Sequence, residues 1–113
     1  MFKFMMIFRN PANIERFEEH YNTLLAKVEK MPAITRRQVF HVVGSPTGAT
    51  PYYRILEIYF EDRRNMELSL MTPVGQEAGE QLANFPSGSY ELIFGDVYEE
   101  AGNWPPASEN RSE

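Results

Sequence analysis

The chain predicts an α+β fold in the order βαββαβ: a four-stranded antiparallel sheet with both helices on one face. Three observations lead there. Residues 2–9, "FKFMMIFR", alternate with the period of a strand. Residues 14–28 repeat their apolar positions with the period of a helix. Two runs rich in β-branched and aromatic residues, 33–44 and 52–60, flank a loop dense in glycine and proline, "GSPTGATP".

In the first strand Phe2, Phe4, Met6 and Phe8 form one wholly apolar face, while Lys3, Met5, Ile7 and Arg9 form a face with charged ends. A strand apolar on both faces is covered on both. "NPAN" then punctuates, and Asn13 is placed to cap the first helix by accepting from free N–H groups of its first turn. Ile14, Phe17, Tyr21, Leu24, Leu25 and Val28 make one inward stripe, and the helix stops before Pro32. The runs 33–44 and 52–60 form a hairpin with a long tip. Asp62 caps the second helix, with Met66 and Leu70 inward, and Thr72-Pro73 restarts it, because proline suits a first helical position. Val74, Ala78, Leu82 and Phe85 keep helical spacing, weakened by two glycines. "PSGS" turns the chain into a last strand, "YELIFGDVYE".

Composition removes several function classes. A chain of 113 residues fits one domain, drawn here over 1–98 and followed by a flexible acidic tail over 99–113, on which Trp104 could dock. With no cysteine there are no disulfides, zinc thiolates or cysteine nucleophiles, which suits a reducing cytoplasm. The apolar N-terminus is too short to span a membrane. The net charge is −5, no basic stripe is present and Arg36-Arg37 and Arg63-Arg64 are isolated pairs, so nucleic acid is not an expected partner. The two histidines sit on separate elements without ligand spacing, so no metal is expected, and "GSPTG" is not followed by a helix, so no nucleotide cradle is expected; no bound cofactor is expected.

The faces of the strand at 52–60 point to an assembly. Leu56, Ile58 and Phe60, with Arg54, form the side expected to meet the helices. Tyr53, Ile55, Glu57 and Tyr59 form the other, joined by Met5, Ile7 and Ile93 from neighbouring strands. So many large apolar groups on an open face exceed what monomers expose. Two sheets packed face to face would cover them, giving a homodimeric barrel whose interior is lined by Met5, Ile7, Tyr53, Ile55, Tyr59 and Ile93.

Several segments resemble the EthD family of dimeric α+β barrel proteins: the opening strand with "NPANIERFEEHY", the "KMPAI" helix stop, "GSPTGATPYYRILEIYF", and "TPVGQEAGEQLANF". They cover nearly all of 1–98 in family order. The resemblance implies a ferredoxin-like subunit, a dimeric barrel with a ligand-sized interior, and a grouping with oxidoreductases. Many EthD-like sequences carry a histidine late in the first helix; here Leu24 or Leu25 stands in its place. His20 lies upstream, at the edge of the apolar stripe, and reads as a rim or solvent residue.

Two residues are candidates for chemistry. Glu57, a carboxylate in a half-apolar strand, is either ion-paired with Arg36, Arg37 or a partner arginine, or tuned for proton transfer, with an arginine or tyrosine in reach. His41 is either a hydrogen-bonded structural histidine or a second catalytic group. Tyr53 and Tyr59 offer hydroxyls to a pocket or pack as ordinary core. Two functional readings follow. One is a protein that binds or transforms a small hydrophobic compound inside the barrel, in the manner of a cofactor-independent oxidoreductase. The other is a non-catalytic accessory or stress-type ligand-binding module.

Overall fold

The structure, a computed structural model, describes residues 1–102. Most of the tail expected to be flexible, Trp104 included, lies outside the described residues. The elements are β1 (Phe2–Arg9), α1 (Ile14–Val28), β2 (Ile34–His41), β3 (Tyr52–Phe60), α2 (Arg63–Met71), α3 (Pro73–Glu80), a 3₁₀ turn (Gln81–Asn84) and β4 (Tyr90–Asp96). All neighbouring strands pair antiparallel, in the order β2-β3-β1-β4. This is the ferredoxin-like arrangement, with the predicted second helix resolved into two helices and a 3₁₀ turn.

Side-chain caps start the helices where the sequence places them. Asn13 Oδ1 accepts from the Arg16 N–H at 2.9 Å, and Asp62 Oδ1 from the Asn65 N–H at 2.8 Å. Thr72 Oγ1 accepts from the Gly75 N–H at 3.0 Å and itself donates to the Ser69 carbonyl at 2.7 Å. Each such cap is worth roughly 1 kcal/mol. After α1 the chain turns through Pro32 and Ala33, whose φ of 67° is left-handed. Ser69 fixes that turn from α2 by donating to the Pro32 carbonyl at 2.7 Å.

The core lies between the sheet and the helices. Phe2, Phe4, Met6 and Phe8 of β1 and Leu56, Ile58 and Phe60 of β3 are buried against Phe17, Tyr21, Leu24 and Val28 of α1 and Met66, Ala78 and Leu82 beyond. Burying each large side chain contributes about 1.5–3 kcal/mol. Ile14 departs from the expected stripe and is 56% exposed. It opens the helix, and the buried line runs from Phe17 onward in steps of four, three and four. No helix among the described residues is long and apolar enough to cross a membrane.

The sequence marks the glycines of α3 as weakening, but Gly75 has a packing reason. A Cβ there would collide with the Ser69 carbonyl oxygen and lie 2.7 Å from the Leu70 carbonyl oxygen. Those are backbone atoms of the preceding helix, so they cannot swing aside. Gly75→Ala is therefore expected to destabilise by about 1–3 kcal/mol, the usual cost of overpacking, despite alanine's better helix propensity. Urea unfolding measures it; an unchanged or raised midpoint would show that the α2–α3 joint has slack.

Candidate functional site

The strand registers arrange the open face in three rows. Gly95, Lys3, Tyr59 and Arg36 form one; Ile93, Met5, Glu57 and Gln38 the second; Glu91, Ile7, Ile55 and Phe40 the third. Met5, Ile7, Ile55, Tyr59, Ile93 and Glu57 thus share this face. Ile93 is 49% exposed and Phe40 53%.

Part of the face is polar and already internally bonded. Lys3 Nζ donates to Glu57 Oε1 at 2.8 Å and to the Tyr59 hydroxyl at 3.4 Å, and Tyr59 Oη donates to Gln38 Oε1 at 3.0 Å. The Arg36 guanidinium lies over the Tyr59 ring, 4.3 Å from its centroid, and Tyr59 is only 4% exposed. The hydrogen bond to Glu57 raises the Lys3 pKa, with Tyr59 adding to it against the cost of burial. The partner of Glu57 is therefore a lysine from β1, where an arginine or tyrosine was expected. Arg37 instead reaches Glu29 at 3.8 Å. A carboxylate held at 2.8 Å by a cross-strand ammonium is an ion-pair residue first.

Tyr53 is not on this face. Between Phe8 and Arg9 the β1–β3 register shifts: Arg54 pairs with Phe8, and Tyr52 pairs with Arg9. Tyr53 falls in the bulge and turns to the helix side. There its hydroxyl donates to Glu18 Oε2 at 3.1 Å and its ring meets Phe17 edge-on at 5.3 Å. His41 also belongs to the helix side, since it pairs with Arg54, and it is exposed. Glu57 and His41 thus lie on opposite faces and form no common catalytic group.

What the sequence reading missed is the centre of that helix-side cluster. Arg54, 6% exposed, makes a two-pronged ion pair with Glu18 of α1 at 2.8 and 2.9 Å. Its guanidinium lies 4.7 Å from the Tyr21 ring centre, 5.2 Å from Tyr53 and 5.5 Å from Phe17. The Arg54 hydrogen bonds hold the Glu18 carboxyl below the usual range, with smaller help from Tyr53 and His41. Burial opposes the Arg54 charge, and Glu18 more than offsets it, so the guanidinium pKa is raised. Burial raises the Tyr21 hydroxyl. One signal was present in sequence: a lone arginine on an otherwise apolar strand face needs a buried acid.

Two cavities open on the helix side. One, of about 340 Å³, lies between α3 and the sheet, lined by Phe4, Met6, Ile58, Leu82 and Leu92 among others, with Gln76 its one polar side chain. The other, of about 710 Å³, lies between the β1–α1 loop and the segment entering β4, and His20 stands on its rim. Among the described residues no group of three or more His, Asp or Glu side chains could hold a metal ion.

No family model matches the chain. It is 28% identical over 100 residues to an uncharacterized 11.0 kDa protein from the thcB-thcC intergenic region of Rhodococcus erythropolis, covering 85% of this chain and 94% of that protein. It superposes on the crystal structure of an ethyl tert-butyl ether d (EthD) family protein from Bacillus halodurans with a TM-score of 0.82 and 27% identity, over 87% of this chain and 99% of that one. A dimeric protein of unknown function and ferredoxin-like fold from Bacteroides fragilis gives 0.62 and 16%, over 85% and 95%. SnoaB, a cofactor-independent oxygenase from Streptomyces nogalater, gives 0.64 and 12%, over 88% and 94%. The last two are likenesses of fold.

The Glu18–Arg54 pair sets an acid limit on stability. Because the folded pKa of Glu18 is depressed, its contribution is present above the ordinary carboxylate pKa of about 4 and is lost as the pH falls through the folded value. Glu18→Gln should flatten the acid limb of a melting-temperature-against-pH curve. Glu18→Ala should cost about 3 kcal/mol at neutral pH by leaving a buried guanidinium unpaired. An acid limb identical to that of the parent would show that other carboxylates govern it.

Proposed function

We propose that this chain, which resembles the EthD family in sequence and in fold, is a homodimer that holds a small hydrophobic compound in the apolar cavity between α3 and the sheet. The observation behind it is the cavity: about 340 Å³, inside the range of ligand sites, and lined almost wholly by carbon. Its lining contains no acid, histidine, lysine or arginine. Binding or carriage is therefore favoured over turnover. The reading as a cofactor-independent oxidoreductase draws on the family resemblance and on the fold shared with SnoaB; chemistry of that kind here would depend on the reactivity of the compound itself. The cysteine-free composition suits the cytoplasm.

The dimer reading rests on the open face. Ile7, Ile55 and Phe40 lie side by side across three strands, with Met5 and Ile93 in the next row. A second copy related by a two-fold axis presents the same rows and covers them. A ligand inside the barrel would lie against this face; the cavity we favour lies on the other side of the sheet.

Two measurements check this reading. Light scattering is expected to give twice the chain mass, and Ile55→Lys to give half of that with the helical signal retained. A parent that scatters as a monomer would remove the dimer. For the cavity, the neutral dye N-phenylnaphthylamine should bind with enhanced fluorescence. Gly79 lines the cavity and a Cβ there meets nothing within 4 Å, so Gly79→Leu is the variant expected to occupy the space. That variant should fold and lose the dye; unchanged dye binding would place the ligand elsewhere.

A further inference from the structure

We propose that the larger cleft, between the β1–α1 loop and the segment 83–89 leading into β4, is a separate site for a small planar organic anion such as an aromatic carboxylate. It shares no lining residue with the apolar cavity. Its charge is one-sided. The lining holds Arg9, Arg16 and His20 and no aspartate or glutamate, in a chain whose net charge is −5.

The two arginines and the histidine are not equally engaged. Arg9 donates to Glu91 at 2.9 Å and lies over the Tyr52 ring at 5.4 Å, so it is partly committed. The Arg16 guanidinium makes no ion pair or hydrogen bond among the described residues, nor does the His20 ring. Arg16 and His20 stand one turn apart on α1 and so share a face. Glu18 is held by Arg54 and Tyr53, and Glu91 by Arg9 at the edge of the cleft, while Glu15 and Glu19 neighbour Arg16 and His20 on α1 without lining the cleft.

The cleft also has an aromatic wall, in which Phe17 and Phe85 show only a small part of their rings. Phe17 and Phe85 both line the cleft, with their ring centres 5.7 Å apart, and the His20 ring meets Phe85 at 5.9 Å. A flat apolar body fits against such rings, and a carboxylate at its end reaches the planar donors of a guanidinium. Both walls are fixed before any ligand arrives. Asn10 is tied by its backbone N–H to the Pro51 carbonyl at 2.8 Å and by its side chain to the Thr50 carbonyl at 2.7 Å. Opposite, Ser89 closes a turn on the Pro86 carbonyl through both its N–H and its hydroxyl, with Gly88 at a φ of 78°. A preformed cleft spares a ligand the cost of ordering loops.

Benzoate and its neutral counterpart benzamide separate charge from shape. In a ¹⁵N-edited NMR titration of the full chain, benzoate should move the amide signals of 10–20 and 83–89 saturably. Benzamide should bind about tenfold more weakly, and Arg16→Gln should weaken benzoate by a similar factor, the scale of one charge-assisted contact. Gly79→Leu should leave benzoate binding intact, which separates this site from the apolar cavity. Absence of saturable shifts, equal binding of benzamide, or an unaffected Arg16→Gln variant would each overturn the assignment. Loss of benzoate binding in Gly79→Leu would do the same by moving the site to the other cavity.

Discussion

The register between β1 and β3 is the constraint on which the rest of the molecule depends. Phe4 stands opposite Ile58 and Met6 opposite Leu56, so the apolar alternation of both central strands points to the same layer. A slip of one residue would send the whole phenylalanine face of β1 to the wrong side. The same register puts Lys3 diagonally across from Glu57 and lets the two bond. Its single irregularity, between Phe8 and Arg9, releases Tyr53 to join Glu18 and Arg54. One backbone pairing thus sorts apolar residues to the core, neutralises a half-buried carboxylate and completes an aromatic cage.

Much of this was legible in the residues. The strand at 52–60, the caps at Asn13 and Asp62 and the helix restart at Thr72-Pro73 follow from local chemistry, and so does the sidedness of Leu56, Ile58 and Phe60. Local rules fail where a partner distant in sequence decides. Alternation puts Tyr53 beside Ile55, but a bulge is set by the neighbouring strand. The ammonium beside Glu57 comes from 54 residues away, while Arg36 covers the Tyr59 ring and Arg37 serves Glu29. The Glu18–Arg54 pair spans 36 residues. Gly75 reads as a poor helix former because nothing in its neighbourhood announces the carbonyls of α2 above it.

The two sides of the sheet divide their work by chemistry. The open side carries half-buried and exposed apolar rows and a polar network satisfied from within, a surface suited to a like surface. The helix side carries one cavity of nearly pure hydrocarbon and one cleft lined by arginines and aromatic rings. Phe85 and Leu82, three residues apart, face the cleft and the apolar cavity respectively. Selectivity on that side would therefore rest on ligand polarity: a compound suited to one space is penalised in the other by desolvation or by an unpaired charge.

The place of β1 between β3 and β4 also governs how the chain can be made. The first strand to be synthesised has its two hydrogen-bonding edges answered by Tyr52–Phe60 and by Tyr90–Asp96. Its backbone therefore cannot be satisfied until nearly the whole domain exists. Contacts of such long sequence separation make folding slow relative to a local helical bundle. Throughout that delay a strand apolar on both faces has open edges, the condition in which nascent chains pair with one another. For a ribosome-bound chain the hazardous interval is the synthesis of everything between Arg9 and Asp96, and it ends when the last strand closes the sheet.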